Sequence, residues 1–150
     1  MKTLVHALFI IGVVAAGLAA GFLNMPGEWY ASLAKPPFNP PNWLFGPVWT
    51  VLYVLIGWAG ARSFLRRSEY PGTFGLWIVQ FVLNICWTPV FFGMRNMVPG
   101  LVIILLLLAA VLAFIGRARH HDRLSAALFV PYALWVAFAS LLNASLIYLN

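Results

Sequence analysis

Residues 97–116 read MVPGLVIILLLLAAVLAFIG, twenty consecutive positions without a charged side chain. At 1.5 Å per residue a helix of this length covers about 30 Å, the thickness of a bilayer's hydrocarbon core. Inside lipid every backbone N–H and C=O must be paired within the protein, so a lone spanning segment has to be a helix. Four further apolar runs have the same character: Leu4 to Leu23, Leu44 to Leu65, Gly72 to Gly93, and Ser125 to Leu149. With Met97 to Gly116 they make five, and the expected fold is an all-α bundle of five transmembrane helices.

Composition points the same way. Of 150 residues 63% are hydrophobic and 8% charged, with a mean hydropathy of +0.93, whereas soluble domains carry about 25% charged residues. One core could not hide that much apolar surface from water. Between the runs lie short breaks of charge or turn residues: Arg66-Arg67-Ser68-Glu69-Tyr70-Pro71, Arg95-Asn96, and Arg117 to Arg123. Only the first connection, Asn24 to Trp43, is long. A single domain over 1–150 is expected, and no internal repeat suggests an inverted-repeat transporter. The first run competes with a cleaved signal peptide, since Lys2 precedes it and Leu18-Ala19-Ala20 offers small residues. Its length of about 20 residues and the small-residue spacing Gly17-Leu18-Ala19-Ala20-Gly21 favour a retained, closely packed helix.

Charge sets the expected orientation. Five spans place Lys2, Arg62, Arg66, Arg67, Arg117, Arg119 and Arg123 on one side and only Lys35 and Arg95 on the other. The positive-inside rule then puts the N-terminus in the cytoplasm and the C-terminus outside. The net charge of +6 is therefore read as a topology signal. Nucleic-acid binding would need a basic patch on a soluble surface, whereas these basic loops are placed to meet anionic lipid head groups.

Most chemistries leave no trace. No Gly-rich phosphate loop or carboxylate pair is present, and the three acids, Glu28, Glu69 and Asp122, all fall in loops. A proton relay through acidic residues within the spans is thereby disfavoured. Cys86 stands alone and is read as a small packing residue. His120 and His121 are read as solvated loop residues in preference to a metal site, and His6 as interfacial. No catalytic acid, base or metal set emerges, and no cofactor is required.

Aromatic and amide groups remain, and they are unevenly placed. Tryptophan occurs at 29, 43, 49, 58, 77, 87 and 135. An interfacial belt accounts for Trp29 and Trp43 at one surface and Trp77 at the other, but fits Trp87 and Trp135 less well. Helical spacing puts Gln80, Asn84, Trp87, Thr88 and Phe91 on one face of the third helix. Tyr132, Trp135, Ala139 and Asn143 share a face of the fifth, and Trp49, Tyr53, Gly57 and Gly60 a face of the second. Amides in hydrocarbon should face the bundle interior. They serve there either as interhelical glue or as the fixed polar points of an aromatic pocket for a flat hydrophobic ligand.

The long connection bears on that choice. Glu28-Trp29-Tyr30 precedes Lys35-Pro36-Pro37-Phe38-Asn39-Pro40-Pro41-Asn42-Trp43. Four prolines in six residues forbid a helix and fix an extended backbone, making either a rigid connector or a stiff lid over the aromatic cluster.

These segments resemble the tryptophan-rich sensory protein family, whose mitochondrial members are the translocator proteins, or peripheral-type benzodiazepine receptors. The likeness runs through Lys35 to Trp43, Gly46-Pro47-Val48-Trp49-Thr50-Val51-Leu52-Tyr53, Gln80 to Gly93, and Pro131 to Asn143. It implies a five-helix bundle, commonly a homodimer, that binds porphyrins and benzodiazepine-site ligands beneath the first loop. Carried over by motif, the implied pocket residues are Trp29, Tyr30, Trp49, Asn84, Trp87, Trp135, Ala139 and Asn143; Tyr53 joins them from the second-helix stripe. Trp faces would stack on a haem-type tetrapyrrole, and Asn84 would hydrogen-bond a polar group. Two departures stand out. Phe38 occupies a position where the family often has Trp, and no Lys or Arg follows Leu146-Ile147-Tyr148, leaving the proposed cholesterol motif incomplete. The expected function is binding, sensing or carriage of tetrapyrroles. The alternative is an enzyme-like oxidative or light-dependent breakdown of bound porphyrin, and a passive channel is a third possibility.

Overall fold

Charge and proline divide the chain close to where the sequence places the breaks. The computed structural model describes all 150 residues, Met1–Asn150, as helices and connections. The spans are α1 (Lys2–Leu23), α3 (Asn42–Leu65), α4 (Pro71–Thr88, prolonged by a π-helical turn Pro89–Gly93), α5 (Met97–Ala118) and α6 (Arg123–Leu149). All five are long and apolar enough to cross a membrane. A sixth helix, α2 (Glu28–Ser32), is five residues inserted in the long connection; the sequence reading gave that stretch no helix of its own.

Local chemistry explains the ends. Pro71 occupies the first turn of α4, where its missing N–H goes unneeded. Asp122 caps α6 by accepting from the Ser125 N–H. Pro89 lacks a donor and crowds the carbonyl four residues back, so the α-helical ladder cannot pass through it. The chain widens instead, and the Met94 N–H donates to the Pro89 carbonyl at 2.8 Å, a span of five residues. Arg95 follows with φ 54°, the left-handed conformation that turns the backbone toward α5.

Around the bundle the order is α1, α3, α6, α5, α4, with α4 also touching α3 and α1. Glycines set the close approaches. A Cβ on Gly57 would lie 2.6 Å from the Ile10 Cα, so α1 and α3 meet backbone to backbone. Gly17 leaves room for the Tyr53 ring, while a side chain at Gly21 would meet nothing within 4 Å; only the first half of that small-residue pair packs. The central core joins Ile56, Val111, Phe114, Phe129, Tyr132 and Val136, with the Phe114 and Phe129 rings 4.2 Å apart.

Two side chains sit differently from the sequence expectation. Trp77 is not an interfacial belt residue: it is buried, and its indole N–H passes over Gly60 to donate to the Ile56 carbonyl at 2.9 Å. Cys86 is exposed on the bundle surface and is not a packing residue.

Candidate functional site

A cavity of about 380 Å³ lies at the bundle end that carries the Asn24–Pro41 connection. Trp49 and Tyr53 of α3, Trp87 of α4, Trp135 and Ala139 of α6, and Tyr30 of α2 line it. None of its 18 lining residues is charged. Trp49 stacks on Tyr53 with centroids 5.5 Å apart and stands at 88° to Trp135. Trp87 stacks on Phe91 at 5.1 Å. Flat faces thus meet from three helices, as a planar apolar guest requires. The Trp135 indole N–H is buried with no acceptor, an arrangement that costs free energy. Burial also raises the pKa of the Tyr30 hydroxyl above its ordinary 10.0, so it stays neutral near pH 7.

Of the nine residues singled out in the sequence, these six line the cavity and three do not. Trp29 packs edge-on against Phe91 at 5.8 Å. Asn84 is buried, its amide N–H donating to the Tyr132 hydroxyl at 2.7 Å, and that hydroxyl donates onward to Gln80 Oε1 at 2.8 Å. Asn143 accepts from the Trp87 indole at 3.2 Å and donates to the Met97 carbonyl at 2.9 Å. Both amides are committed to tying α6 to α4 and α5, which is the glue reading, and neither lines the cavity. The sequence reading missed α1, which lends Gly17, Leu18, Gly21 and Phe22 to the wall. Gly17-Leu18-Ala19-Ala20-Gly21 was the available signal, since small residues leave space as readily as they permit contact.

The TspO/MBR family pattern matches residues 9–149. The chain belongs to the TspO/MBR family. It is 39% identical to protein CrtK of Rhodobacter capsulatus, over 100% of this chain and 95% of that one. Identity is 42% to the tryptophan-rich protein TspO of Archaeoglobus fulgidus, over 94% of each. Against the human translocator protein it is 39%, over 77% of this chain and 71% of the other. The family expectation drawn from the proline loop and the Trp49, Trp87 and Trp135 segments is met.

The opposite end of this TspO/MBR bundle is built from charge. Arg62 grips Asp122 with two nitrogens, Nη2 to Oδ1 at 2.9 Å and Nε to Oδ2 at 3.0 Å, while the Ser125 hydroxyl donates to Oδ2 at 2.6 Å. Burial alone would raise the Asp122 pKa, but the Arg62 and Ser125 hydrogen bonds outweigh it and hold the carboxyl below its usual range. His121 stacks face to face on Tyr70 at 3.7 Å, its Nε2 3.0 Å from the Thr73 hydroxyl. Its carbonyl accepts from Arg66 at 2.6 Å. Burial first, then the Arg66 charge, lowers its pKa. His121 is therefore not the freely solvated loop residue the sequence suggested, and Asp122, in the connection as expected, is buried. They close this end so tightly that no space for a water remains among them.

Proposed function

We propose that this chain is a membrane-embedded binding protein for porphyrins and similar flat hydrophobic molecules, serving their transport or regulation. The observation that carries the reading is the uncharged, aromatic cavity of about 380 Å³. The aromatic rings of Trp49, Trp87 and Trp135 suit an extended π-system. Relatives named translocator protein and tryptophan-rich sensory protein support a role in moving or reporting a ligand. Benzodiazepine-site ligands are a second class of guest for the same walls. We read the Arg62–Arg123 end as cytoplasmic, from the bias of seven cations against two, and the working unit as a homodimer, as family membership implies.

The test is a protoporphyrin titration followed by tryptophan fluorescence. Ala139→Leu puts extra carbons into the space and is expected to weaken binding about tenfold through overpacking. Trp135→Phe keeps a ring at the wall and weakens it less. Asn84→Ala does not touch the lining and leaves affinity within about threefold, in keeping with weak coupling between separated sites. Unchanged affinity in both cavity variants would overturn the reading. Cysteine labelling from either side of sealed vesicles checks the orientation, and cross-linking in lipid checks the dimer.

A further inference from the structure

Apart from the bonds at its two ends, from Asn24 to the last turn of α1 and from Leu44 to Pro41, the Asn24–Pro41 connection is tied to the bundle by two hydrogen bonds, and both involve one residue pair 116 positions apart. The Ala34 N–H donates to Asn150 Oδ1 at 3.0 Å, and Asn150 Nδ2 donates to the Ala34 carbonyl at 3.0 Å. One side-chain amide thus pairs with one backbone residue as a neighbouring strand would, satisfying both of its peptide groups. Asn150 Nδ2 also reaches the Leu146 carbonyl at 2.8 Å, which fixes the amide's orientation on the end of α6.

What Ala34 carries makes this bridge consequential. Lys35 Nζ donates to the Tyr30, Leu33 and Ala31 carbonyls at 2.8, 3.2 and 3.3 Å. The lysine thereby closes the C-terminal end of α2 and makes Glu28–Lys35 one unit. That unit includes Tyr30, which lines the cavity and packs against Phe92 at 5.3 Å. Between its two ends the remaining attachments of the connection are apolar, such as Phe38 against Phe138 at 6.2 Å, and apolar contacts slide where hydrogen bonds fix register.

We propose that Asn150 is the positioning residue of the lid: its paired bonds to Ala34 hold the α2 unit over the cavity, and their rupture is the step that admits and releases ligand. The proposal rests on the cavity being a ligand site, so its first readouts need no ligand. In nanodiscs, amide hydrogen exchange at Ala34 should be about five- to twentyfold faster in Asn150→Ala. In Asn150→Asp, which keeps the Oδ acceptor but loses both Nδ2 donations to the Ala34 and Leu146 carbonyls, it should fall between the parent rate and that of Asn150→Ala. Leu33, whose N–H donates to the Tyr30 carbonyl, is the internal control for α2 remaining folded. Acrylamide quenching of tryptophan should rise in Asn150→Ala, and the rise should shrink when Trp135→Phe is added. With protoporphyrin in stopped flow, the association and dissociation rates should both increase several-fold while Kd changes less than either.

Ala34 exchange that is the same in parent and Asn150→Ala would overturn the bridge. Faster exchange with unaltered quenching would overturn its control of access. A parent chain that binds no protoporphyrin would sink the ligand reading alone, since exchange and quenching still decide the lid. A higher Kd with unchanged association rate would show that Asn150 acts on the bound state and would overturn gating.

Discussion

The two ends of this bundle solve opposite problems with different chemistry. Where α3, α4 and α6 meet around Asp122, cations, a carboxylate and a stacked histidine fill the space completely. Where the same helices meet beneath α2, uncharged aromatic faces leave about 380 Å³ unfilled. Charge-assisted bonds are short, directional and costly to break, so they suit the end that stays shut. Aromatic walls give up little when water or a guest comes and goes, so they suit the end where we propose that a guest exchanges. A bundle with both ends built from charge would have no pocket, and one with both built from aromatics would have no fixed base.

The contrast breaks most severely at Asp122. Asp122→Ala removes the cap of α6 and leaves Arg62 without its partner; since Arg62 is a third exposed, a cost of about 2–3 kcal/mol is expected. Thermal unfolding in detergent should read this as a drop of about 4–12 °C, with protoporphyrin affinity of the folded fraction retained. Loss of affinity equal to the loss of stability would show the two ends to be one cooperative unit. Between them sits Tyr132, fully buried between Asn84 and Gln80. Tyr132→Phe strands both amides and should cost about 1–2 kcal/mol, measured in the same melt.

Acidification gives a smaller effect confined to the basic end. His121 has a folded pKa below its ordinary 6.5, so the unfolded chain binds the proton more readily. Its contribution to stability is then complete above about pH 6.5 and declines as the pH falls below that value. A melt at pH 7.5 should lie a few degrees above one at pH 5.5, and His121→Gln should narrow the gap. Asp122 acts in the same direction only below its ordinary 3.8, outside that window. Smallest of all is Trp43→Ala: the residue is 71% exposed and should change stability by less than about 0.5 kcal/mol, leaving both ends as they are.

Much of the architecture could be read from the sequence because lipid imposes a length on apolar runs. The observed α1 and α3–α6 boundaries fall within two residues of the runs read from composition, apart from the π-helical end of α4 being a different kind of turn. The five-residue α2 could not be read, since so short a helix completes barely more than one turn and shows no periodicity. Helical spacing correctly grouped Trp49 with Tyr53 and Trp135 with Ala139. It could not say which residue of a shared face reaches the cavity and which does not, so Asn84 and Asn143 were grouped with the lining. Trp77 was misread because depth along a helix says nothing about whether a glycine opposite, here Gly60, admits the ring. The Arg62–Asp122 pair joins residues 60 apart, and no local pattern announces such a meeting.

Of the 22 residues of α1, only Val13 and Gly17 are buried, although this helix supplies Gly17, Leu18, Gly21 and Phe22 to the cavity wall. It leans chiefly on α3 and leaves most of the rest of its surface exposed on the outside of the bundle, Leu4, Leu8, Ile11 and Phe22 among it. One side of the cavity is therefore a single helix with no second layer of this chain behind it. Its width is set by how that one helix seats on α3, so whatever packs against the outer face of α1 becomes a variable in what the space can hold.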